Sequence, residues 1–338
     1  MTPNAPYWRN RKVLITGGAG FIGSNLAERL VEYGAKVRIA DNFERGREEY
    51  LADFREEIEV EKLDLRELEN CHKACTGVEV VFHLASKVGG IGYYLKQAGE
   101  VIRENCFIDA NMWKAVLDAK IPRYFYASSA HIYPIELQTR PDSPFIKEEQ
   151  AVPAHPELSY GWAKLFAEKM IEYQIEEGTT ETRAAIARLI GVYGKHQDIE
   201  LATGSAIPVF CRRAAEYPAL KPFKIWGTGK ETRSYTYIQD AIDGILLCME
   251  KLESQKIVGP LNLGTEERIT IGELAALAVK VSGKSIEVEN DPSKGTVIWG
   301  QAVSCRKATE LLNGWKPRTS LEEGVTNSFN DIRKRLGK

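Results

Sequence analysis

Short apolar runs alternate with amphipathic segments through the first half of the chain. The first run, from Val13 to Ile15, has two β-branched members, which favours a buried parallel strand. From Phe21 to Tyr33 the apolar residues recur with the spacing of one helix face, which predicts an amphipathic helix. The same patterns recur downstream and predict strands at 36–40, 58–63, 80–84, 124–127 and 182–189 and helices at 66–75 and 98–119. Strands that alternate with helices predict right-handed crossovers and an α/β fold with a doubly wound parallel sheet.

Three glycines lie between the first strand and the first helix. Gly17, Gly20 and Gly23 have G-x-x-G-x-x-G spacing, typical of a turn that brings a dinucleotide pyrophosphate against backbone N–H groups and a helix N-terminus. The second strand leads to Asp41, about 20 residues further on, where a carboxylate accepts hydrogen bonds from the adenosine ribose. Because a carboxylate repels a 2′-phosphate, the sequence predicts a Rossmann-type domain that binds NAD in preference to NADP. A structural glycine turn in another α/β protein is the alternative.

Three later loops carry further candidate binding residues. The polar stretch from Asn42 to Asp53 is predicted as a loop. The third strand leads to Asp64, whose carboxylate can reach an adenine amino group, although an ordinary loop aspartate is nearly as good an interpretation. The fourth strand runs into a glycine-rich loop at 88–92, and open α/β sheets bind ligands at such carboxyl ends. The cofactor contacts predicted in these loops and in the first helix are Phe21, Ile22, Asn42, Asp64, Leu65, Leu84 and Ala85.

A tyrosine and a lysine one helical turn apart follow the fifth strand. Tyr160 and Lys164 stand at positions i and i+4 of a predicted helix, so both side chains project from one face. A phenol titrates near pH 10 in water, and a neighbouring ammonium and a nicotinamide cation are both expected to lower the pKa of Tyr160. The phenolate can then take the proton of a substrate hydroxyl while the same carbon is oxidised. Ser129, at the end of the fifth strand, is expected to hydrogen-bond the same oxygen.

The composition narrows these possibilities. With 338 residues, 43% of them apolar, the chain can bury one large α/β domain with a smaller lobe. A net charge of −2 offers no basic surface for nucleic acid, and no apolar run has membrane-spanning length. Six cysteines without a C-x-x-C pair and an N-terminus without a signal-peptide core indicate reduced thiols and a cytoplasmic location. The five histidines have no metal-binding spacing, so no metal is predicted.

Taken together, the motifs resemble one family. T-G-G-A-G-F-I-G, H-L-A, S-S-A-H-I-Y-P, Y-G-W-A-K and V-Y-G follow in this order, as in the extended short-chain dehydrogenase/reductases that act on nucleotide sugars. The resemblance runs from about residue 10 to Trp315. Within that family, V-G-G-I-G, F-C-R-R and T-R-S-Y-T-Y-I are most similar to the GDP-mannose 3,5-epimerases. This implies an isomerase in which tightly bound NAD oxidises a sugar carbon transiently.

The resemblance also implies a division of the chain and a substrate site. Residues 1–188, with part of 235–265 returning, would form the NAD-binding Rossmann domain, and residues 189–338 mainly a smaller, discontinuous α/β lobe for the nucleotide sugar. A homodimer paired through the long helices of the sheet edge is implied as well. Arg233 is the expected phosphate contact, because a guanidinium fork suits that role, and a solvated loop arginine is the alternative. The implied substrate-binding residues are Gly90, Ser129, Ala130, His131, Arg213 and Arg233.

Around the substrate, the chain departs from the family it resembles. His131 stands where those 3,5-epimerases have a cysteine base, and a histidine with a pKa near neutrality can do that work; the alternative is a histidine that only packs. Ser205 falls near the position of their lysine acid, and Gly191 replaces an asparagine. An arginine expected near the C-terminal end is absent from the stretch that ends at Ala302. The cofactor site is therefore complete in sequence, whereas the substrate site is altered.

Several functions remain open on this pattern. A 3,5-epimerase acting on a GDP-hexose is the first, with Ser129, His131, Tyr160 and Lys164 as catalytic residues. A nucleotide-sugar 4-epimerase is an alternative, and so is a 4-keto-sugar reductase using NAD(P)H, although Asp41 suits a 2′-phosphate poorly. A catalytically silent NAD-binding protein is the alternative of another class. Tyr160 and Lys164 argue against it, because a protein that only binds NAD needs neither.

Overall fold

Short parallel strands form the centre of the fold in the computed structural model, which describes residues 1–89, 94, 96–294 and 298–338. In chain order the strands are β1 (Lys12–Thr16), β2 (Lys36–Asp41), β3 (Ile58–Lys62), β4 (Val80–His83), β5 (Arg123–Ser129), β6 (Arg183–Leu189), β7 (Val192–Tyr193), β8 (Phe223–Trp226), β9 (Thr232–Arg233), β10 (Thr236–Tyr237), β11 (Ile257–Leu263), β12 (Ile269–Thr270), β13 (Val288–Asp291) and β14 (Gly300–Gln301).

Seven of these strands form one sheet in the order β11–β6–β5–β4–β1–β2–β3, with every neighbouring pair parallel. The direction of winding reverses between β1 and β4, so a crevice opens at the carboxyl ends of these two strands. The predicted doubly wound, Rossmann-type sheet is therefore confirmed. Sheets of this kind bind their ligands at that crevice.

Helices cover both faces of the sheet. In chain order the α-helices are α1 (Ala5–Trp8), α2 (Phe21–Glu32), α3 (Leu68–Cys75), α4 (Ala98–Asp118), α5 (Ser159–Glu176), α6 (Ala206–Ala215), α7 (Ile238–Lys251), α8 (Ile271–Ser282), α9 (Arg306–Leu311) and α10 (Leu321–Arg335), and the 3-10 helices are Glu48–Glu57, Ala130–Ile132, Ile135–Gln138, Glu148–Ala151 and Pro292–Lys294. Helices α2 and α7 pack on one face, and α3, α4 and α5 on the other. The central residues of the inner strands are mostly apolar because both faces of the sheet are covered.

One predicted loop contains a helix. The stretch from Asn42 to Asp53 was expected to be irregular, but a 3-10 helix begins at Glu48 inside it. The helix buries Tyr50, Leu51 and Phe54, and the last two pack into the core beside β2. Charged neighbours hide this small apolar set in the sequence, which is why the prediction was wrong.

The second half of the chain builds a smaller core and also returns to the main sheet. Helices α6, α8 and α10 pack around buried residues such as Phe210, Leu274 and Phe329, and β8 pairs with β13 at their edge. Strand β11 and helix α7 belong to the main sheet and its core. Across the described residues, no helix combines the length and apolar character that crossing a membrane requires.

Candidate active site

A cavity of about 860 Å³ lies at the carboxyl ends of the sheet strands. It has the size of a small-molecule site. The predicted residues that line it are Gly17, Gly20, Phe21, Ile22, Gly23, Asp41, Asn42, Asp64, Leu65, Leu84, Ala85, Ser129, His131, Tyr160 and Lys164. The structure thus gathers all of the predicted cofactor-binding and catalytic residues around one space, and the role of each stays a prediction.

The glycine turn lets neighbouring backbone segments lie unusually close to each other. Gly17 has φ +66°, and a Cβ there would lie 2.9 Å from backbone atoms of Ala85. A Cβ on Gly23 would lie 2.3 Å from the Gly17 carbonyl oxygen, so only glycine lets helix and turn meet. Helix α2 begins after Gly20 without a side-chain cap, which leaves N–H groups of its first turn directed at the cavity wall. These features fit a pyrophosphate.

Asp41 lies at the end of β2 and is buried beside this turn. Its Oδ2 accepts a hydrogen bond from the Ala19 N–H at 3.0 Å, and its Oδ1 accepts one from the Phe43 N–H at 2.8 Å. Burial raises the pKa of the carboxyl, while these two bonds oppose the shift. Each ionised oxygen can accept more than one hydrogen bond, so the carboxylate fits ribose hydroxyls at the cavity edge. The residues present therefore suit NAD.

Asp64 is already engaged with a neighbouring arginine. The Arg66 Nε donates to both Asp64 oxygens, at 2.9 and 3.0 Å, and the guanidinium also bonds Glu104. Hydrogen bonding to Arg66 holds the pKa of Asp64 below its usual range. The carboxylate borders the cavity, but its lone pairs are shared with Arg66, so a contact with adenine stays a prediction.

Tyr160 and Lys164 project from the first turns of α5 into the buried part of the site. The Tyr160 ring lies 5.3 Å from the ring of Tyr94 and 6.1 Å from that of His131, between centroids. The Lys164 Nζ lies 5.7 Å from the Tyr160 ring centroid. Burial, and next the negative charge of Asp109, raise the pKa of Tyr160. The sequence predicted a lowered pKa, and the protein groups by themselves do not produce it, because burial disfavours the phenolate.

Ser129 and His131 face the same space from the end of β5. The His131 backbone N–H donates to Ser129 Oγ at 3.2 Å, which leaves the serine hydroxyl hydrogen for a substrate oxygen. Burial, helped by the positive charge of Arg233, lowers the pKa of His131 to about 4. The sequence expected a value near neutrality. The imidazole is instead neutral at physiological pH, which suits a proton acceptor but makes it a weak one.

Not every predicted substrate residue reaches the cavity. Ala130 is buried in a neighbouring core, and Arg213 donates to the Pro222 carbonyl at 3.1 Å, away from the described lining. Arg233 also lies outside that lining, and its guanidinium bonds the backbone carbonyls of Thr232 and residue 298 at 2.8 and 2.9 Å. Gly90 falls outside the described residues.

Sequence reasoning missed an ion pair that joins two walls of the cavity. Arg45, in the loop after β2, donates to Asp198 at 2.7 Å and to the Val88 carbonyl at 3.1 Å. In addition, His196 Nδ1 lies 2.9 Å from Ser24 Oγ of α2. All of these residues except Ser24 line the cavity. Nothing in the sequence pairs Arg45 with a residue that lies 153 positions away.

Ser86 was missed as well, although it follows directly on the predicted contact Ala85. Its side chain hydrogen-bonds Tyr160, which opposes the rise in the pKa of the phenol. The Ser86 Oγ also lies 2.5 Å from Asn105 Oδ1 of α4, so Tyr160 and Asn105 share the one hydrogen that this hydroxyl can donate. The available signal was a serine three residues past the end of β4, near the carboxyl end of the strand next to the one that ends at Ser129.

The substrate-side departures have structural reasons. Gly191 has φ +48°, and a Cβ there would lie 2.2 Å from the Ser234 carbonyl oxygen, so an asparagine would need a different backbone. Ser205 lines the cavity and accepts a hydrogen bond from the Gln197 Nε2 at 2.8 Å. Ala302 is buried. Among the described residues, no three histidine, cysteine, aspartate or glutamate side chains are grouped to hold a metal ion.

Comparison with known proteins agrees with this geometry. The family model described as the NAD dependent epimerase/dehydratase family matches residues 13–264. The chain belongs to that family. It is therefore an NAD-dependent enzyme, and the cofactor predicted from the glycine turn and Asp41 is confirmed.

Relatives of the epimerase/dehydratase family match this chain over nearly its whole length. GDP-mannose 3,5-epimerase of Arabidopsis thaliana is 32% identical over 334 residues, which are 98% of this chain and 85% of the relative. UDP-glucose 4-epimerase of Thermotoga maritima, solved with UDP-glucose, superposes with a TM-score of 0.84 at 25% identity and covers 96% of this chain and 99% of its own. UDP-glucose 4-epimerase of Thermus thermophilus, solved with NAD, has a TM-score of 0.81 at 22% identity and covers 95% and 98%.

Proposed function

We propose that the chain is a nucleotide-sugar epimerase that oxidises its substrate transiently, with a 3,5-epimerase reaction on a GDP-hexose as the first candidate. The supporting observation is the grouping of Ser129, His131, Tyr160 and Lys164 around the cavity that carries the NAD-binding turn. The identity to a GDP-mannose 3,5-epimerase favours this substrate class. The cofactor must be regenerated in place, because epimerisation is redox-neutral.

Each catalytic side chain has a defined task in this proposal. NAD, when bound, supplies the oxidation of the sugar carbon, taken as C4, and the later reduction. Tyr160 takes the proton from the hydroxyl on that carbon, and Ser129 donates its hydroxyl hydrogen to the same oxygen. The resulting ketone acidifies the neighbouring C3 and C5 protons. His131, which is neutral at the working pH, accepts one of these protons at an imidazole nitrogen.

A 4-epimerase is the second candidate, and one observation favours it. The pKa of His131, lowered to about 4, makes the imidazole a weak base for a carbon acid. In a 4-epimerase no proton is removed from C3 or C5, since the keto sugar rotates in the site and hydride returns to its other face. A structural neighbour of this chain, from Thermotoga maritima, is a UDP-glucose 4-epimerase.

Reaction in deuterated water separates the two candidates. Deuterium at C3 or C5 of the product, read by mass spectrometry and NMR, supports proton removal by His131. Unlabelled product with inverted C4 would replace the first candidate by the second. The variant His131→Asn is the matched control: it should lose the label while still forming the reduced cofactor, followed by its absorbance. A lack of turnover across a panel of nucleotide sugars, with NAD retained, would favour a silent NAD-binding protein, and a preference for NADPH would favour a reductase.

Tight retention of NAD is part of this proposal. The ion pair of Arg45 with Asp198 connects the loop after β2 to the segment after β7, and both side chains line the cavity. Asp198 is fixed from its own side, because the Thr203 hydroxyl donates to it at 2.7 Å. We propose that this connection slows the release of the dinucleotide. Analysis of the small molecules released on denaturing the purified protein tests this directly, and release of NADP alone would contradict it.

A homodimer is also proposed, paired through α4 and α5. Both helices expose large apolar side chains: Phe107 is 52% exposed on α4, and Trp162, Phe166 and Tyr173 are 42%, 51% and 61% exposed on α5. Helices α4 and α5 pack against each other, so these rings belong to one side of the sheet. Apolar surface concentrated in this way favours association. Light scattering that gives a monomer at micromolar concentration would refute the dimer.

The smaller core of the second half is proposed to bind the nucleotide sugar, with residues 1–188 and part of 235–265 binding NAD. The contact of Ser205 and Gln197 with the cavity wall supports a contribution from the second half. A cytoplasmic location is proposed as well, because all six cysteines are free and five of them are buried. Fractionation of cells that express the chain with a tag tests the location.

A further inference from the structure

A buried carboxylate lies directly behind the catalytic lysine. Asp109 is on α4 and only 1% exposed, and its Oδ1 lies 3.8 Å from Lys164 Nζ, which is itself 1% exposed. The Tyr126 hydroxyl donates to Asp109 Oδ2 at 2.7 Å, and His83 Nε2 lies 3.0 Å from Oδ1. The Lys164 Nζ also lies 4.7 Å from the Tyr126 ring centroid. Asp109 therefore joins β4, β5 and α5 at one point.

The hydrogen bonds around His83 show that it is neutral. The Thr16 hydroxyl oxygen accepts hydrogen bonds from the Leu84 and Ala85 N–H groups, both at 3.2 Å. Its own hydrogen is then available for His83 Nδ1 at 2.7 Å, so Nδ1 accepts and Nε2 carries the hydrogen donated to Asp109. Burial lowers the pKa of His83, in agreement with a neutral ring.

Because His83 is neutral, the negative charge of Asp109 is balanced by the positive charge of Lys164. Burial by itself raises the pKa of Asp109, but the Lys164 charge and the hydrogen bonds from His83 and Tyr126 outweigh it, and the pKa lies below its usual range. Burial lowers the pKa of Lys164, and the charges of Asp109 and then Glu168 oppose that shift. Glu168 is itself paired with Arg188 at 2.7 Å. Removing one member of a buried pair leaves the other uncompensated, which is costly.

We infer that Asp109 is a positioning residue for Lys164: its carboxylate is the buried counter-charge that keeps the catalytic ammonium charged and fixed beneath Tyr160. Asp109 is not part of the described cavity lining, and it acts through Lys164 and through the field it places on Tyr160. The inference rests on the proposed roles of Tyr160 and Lys164. Nothing in the sequence marked Asp109, which stands in the middle of a long helix.

The charge of Asp109 acts on both catalytic groups in the same direction. A negative charge favours the protonated form of each neighbour, so it raises the pKa of Tyr160 and that of Lys164. The reaction needs Tyr160 as phenolate and Lys164 as ammonium. Activity therefore rises as Tyr160 loses its proton and falls as Lys164 loses its own, and the Asp109 charge moves both titrations toward higher pH. The titratable groups that face this cluster are His83, Cys106, Tyr124, Tyr126, Tyr160, Lys164 and Glu168.

Asp109→Asn removes the charge and keeps the shape. The amide oxygen can still accept from His83, and the Tyr126 hydroxyl can turn to accept from the amide NH₂. Tyr126→Phe is the matched control, because it deletes a hydrogen bond to Asp109 but keeps the charge and the ring over Lys164. Asp109→Ser is a second neutral variant, in case the asparagine does not fold. Asp109→Glu restores the charge.

Two measurements test the inference. In the pH profile of kcat, both limbs should move to lower pH in Asp109→Asn, by about one unit or more, and stay in place in Tyr126→Phe. Independently of activity, urea unfolding is measured at about pH 7 and at about pH 9.5. Lys164 without its counter-ion can lose its proton in the folded state at the higher pH. The stability deficit of Asp109→Asn relative to the wild type should therefore shrink on going from the lower to the higher pH.

The outcomes are distinct. A deficit that is the same at both pH values, with a pH profile that falls in height but does not move, would make Asp109 a structural residue and overturn the inference. If the deficit shrinks but the wild type shows no turnover, the charge pairing of Asp109 with Lys164 is supported and the proposed function is refuted instead. The same shift in Asp109→Ser, and its reversal in Asp109→Glu, would support the charge as the cause.

Discussion

The lowered pKa of His131 predicts a specific loss of stability in acid. The imidazole has a pKa of about 4 in the folded chain, against an ordinary value of 6.5 that represents the unfolded chain. Between these values the unfolded chain binds a proton that the folded chain does not, so folding becomes less favourable as the pH falls. One pKa unit corresponds to about 1.4 kcal/mol, and the shift therefore costs about 2 kcal/mol at pH 5 and about 3 kcal/mol below pH 4.

The variant His131→Asn should remove this dependence. Urea unfolding at about pH 7 and about pH 5 gives the free energy of unfolding of wild type and variant under both conditions. Because asparagine does not titrate, the variant should lose about 2 kcal/mol less than the wild type between the two. His196, whose pKa is also lowered to about 4 by burial, contributes its own loss in both proteins and cancels in the comparison.

His155→Asn is the control, because His155 is exposed and pairs with Glu136 on the surface. The loss of stability of this variant between the two pH values should equal that of the wild type. If His131→Asn and the wild type lose stability equally, the imidazole is not held neutral by burial and the argument from the structure fails. The same neutrality predicts that kcat should not change through a titration of His131 near pH 6.5.

Three further perturbations follow from the site. Tyr160→Phe keeps the ring and removes the proton acceptor, so turnover should fall by about 10²–10⁴-fold while the NAD content of the purified protein stays unchanged; loss of NAD would contradict the assigned role. Arg45→Ala should speed the loss of NAD on dialysis by about two- to fivefold, the range of an exposed ion pair, whereas Arg306→Ala, which breaks a remote exposed pair with Glu310, should not. Phe166→Glu should yield a monomer in light scattering, and Phe145→Glu, an exposed ring outside α4 and α5, should not.

The features that the sequence determined are those that depend on neighbours along the chain. The order of strands and helices, the glycine turn, and Asp41 at the end of β2 each follow from spacing and backbone geometry within about 30 residues. The facing of Tyr160 and Lys164 follows from one helical turn. The strands and helices were accordingly predicted close to their observed bounds. The cofactor was predicted from the glycine turn after the first strand and from Asp41.

What the tertiary structure decided depends on burial and on contacts between distant segments. Arg45 meets Asp198 only because the loop after β2 and the segment after β7 border one cavity. The pairing of Asp109 with Lys164 requires α4 and α5 to cover the same face of the sheet. The pKa of His131 is set by how much water the folded chain excludes, and residue type alone gave the wrong value. Local periodicity can be read directly from the order of residues. The charge state of a side chain is instead set by desolvation and by the partners that folding brings to it.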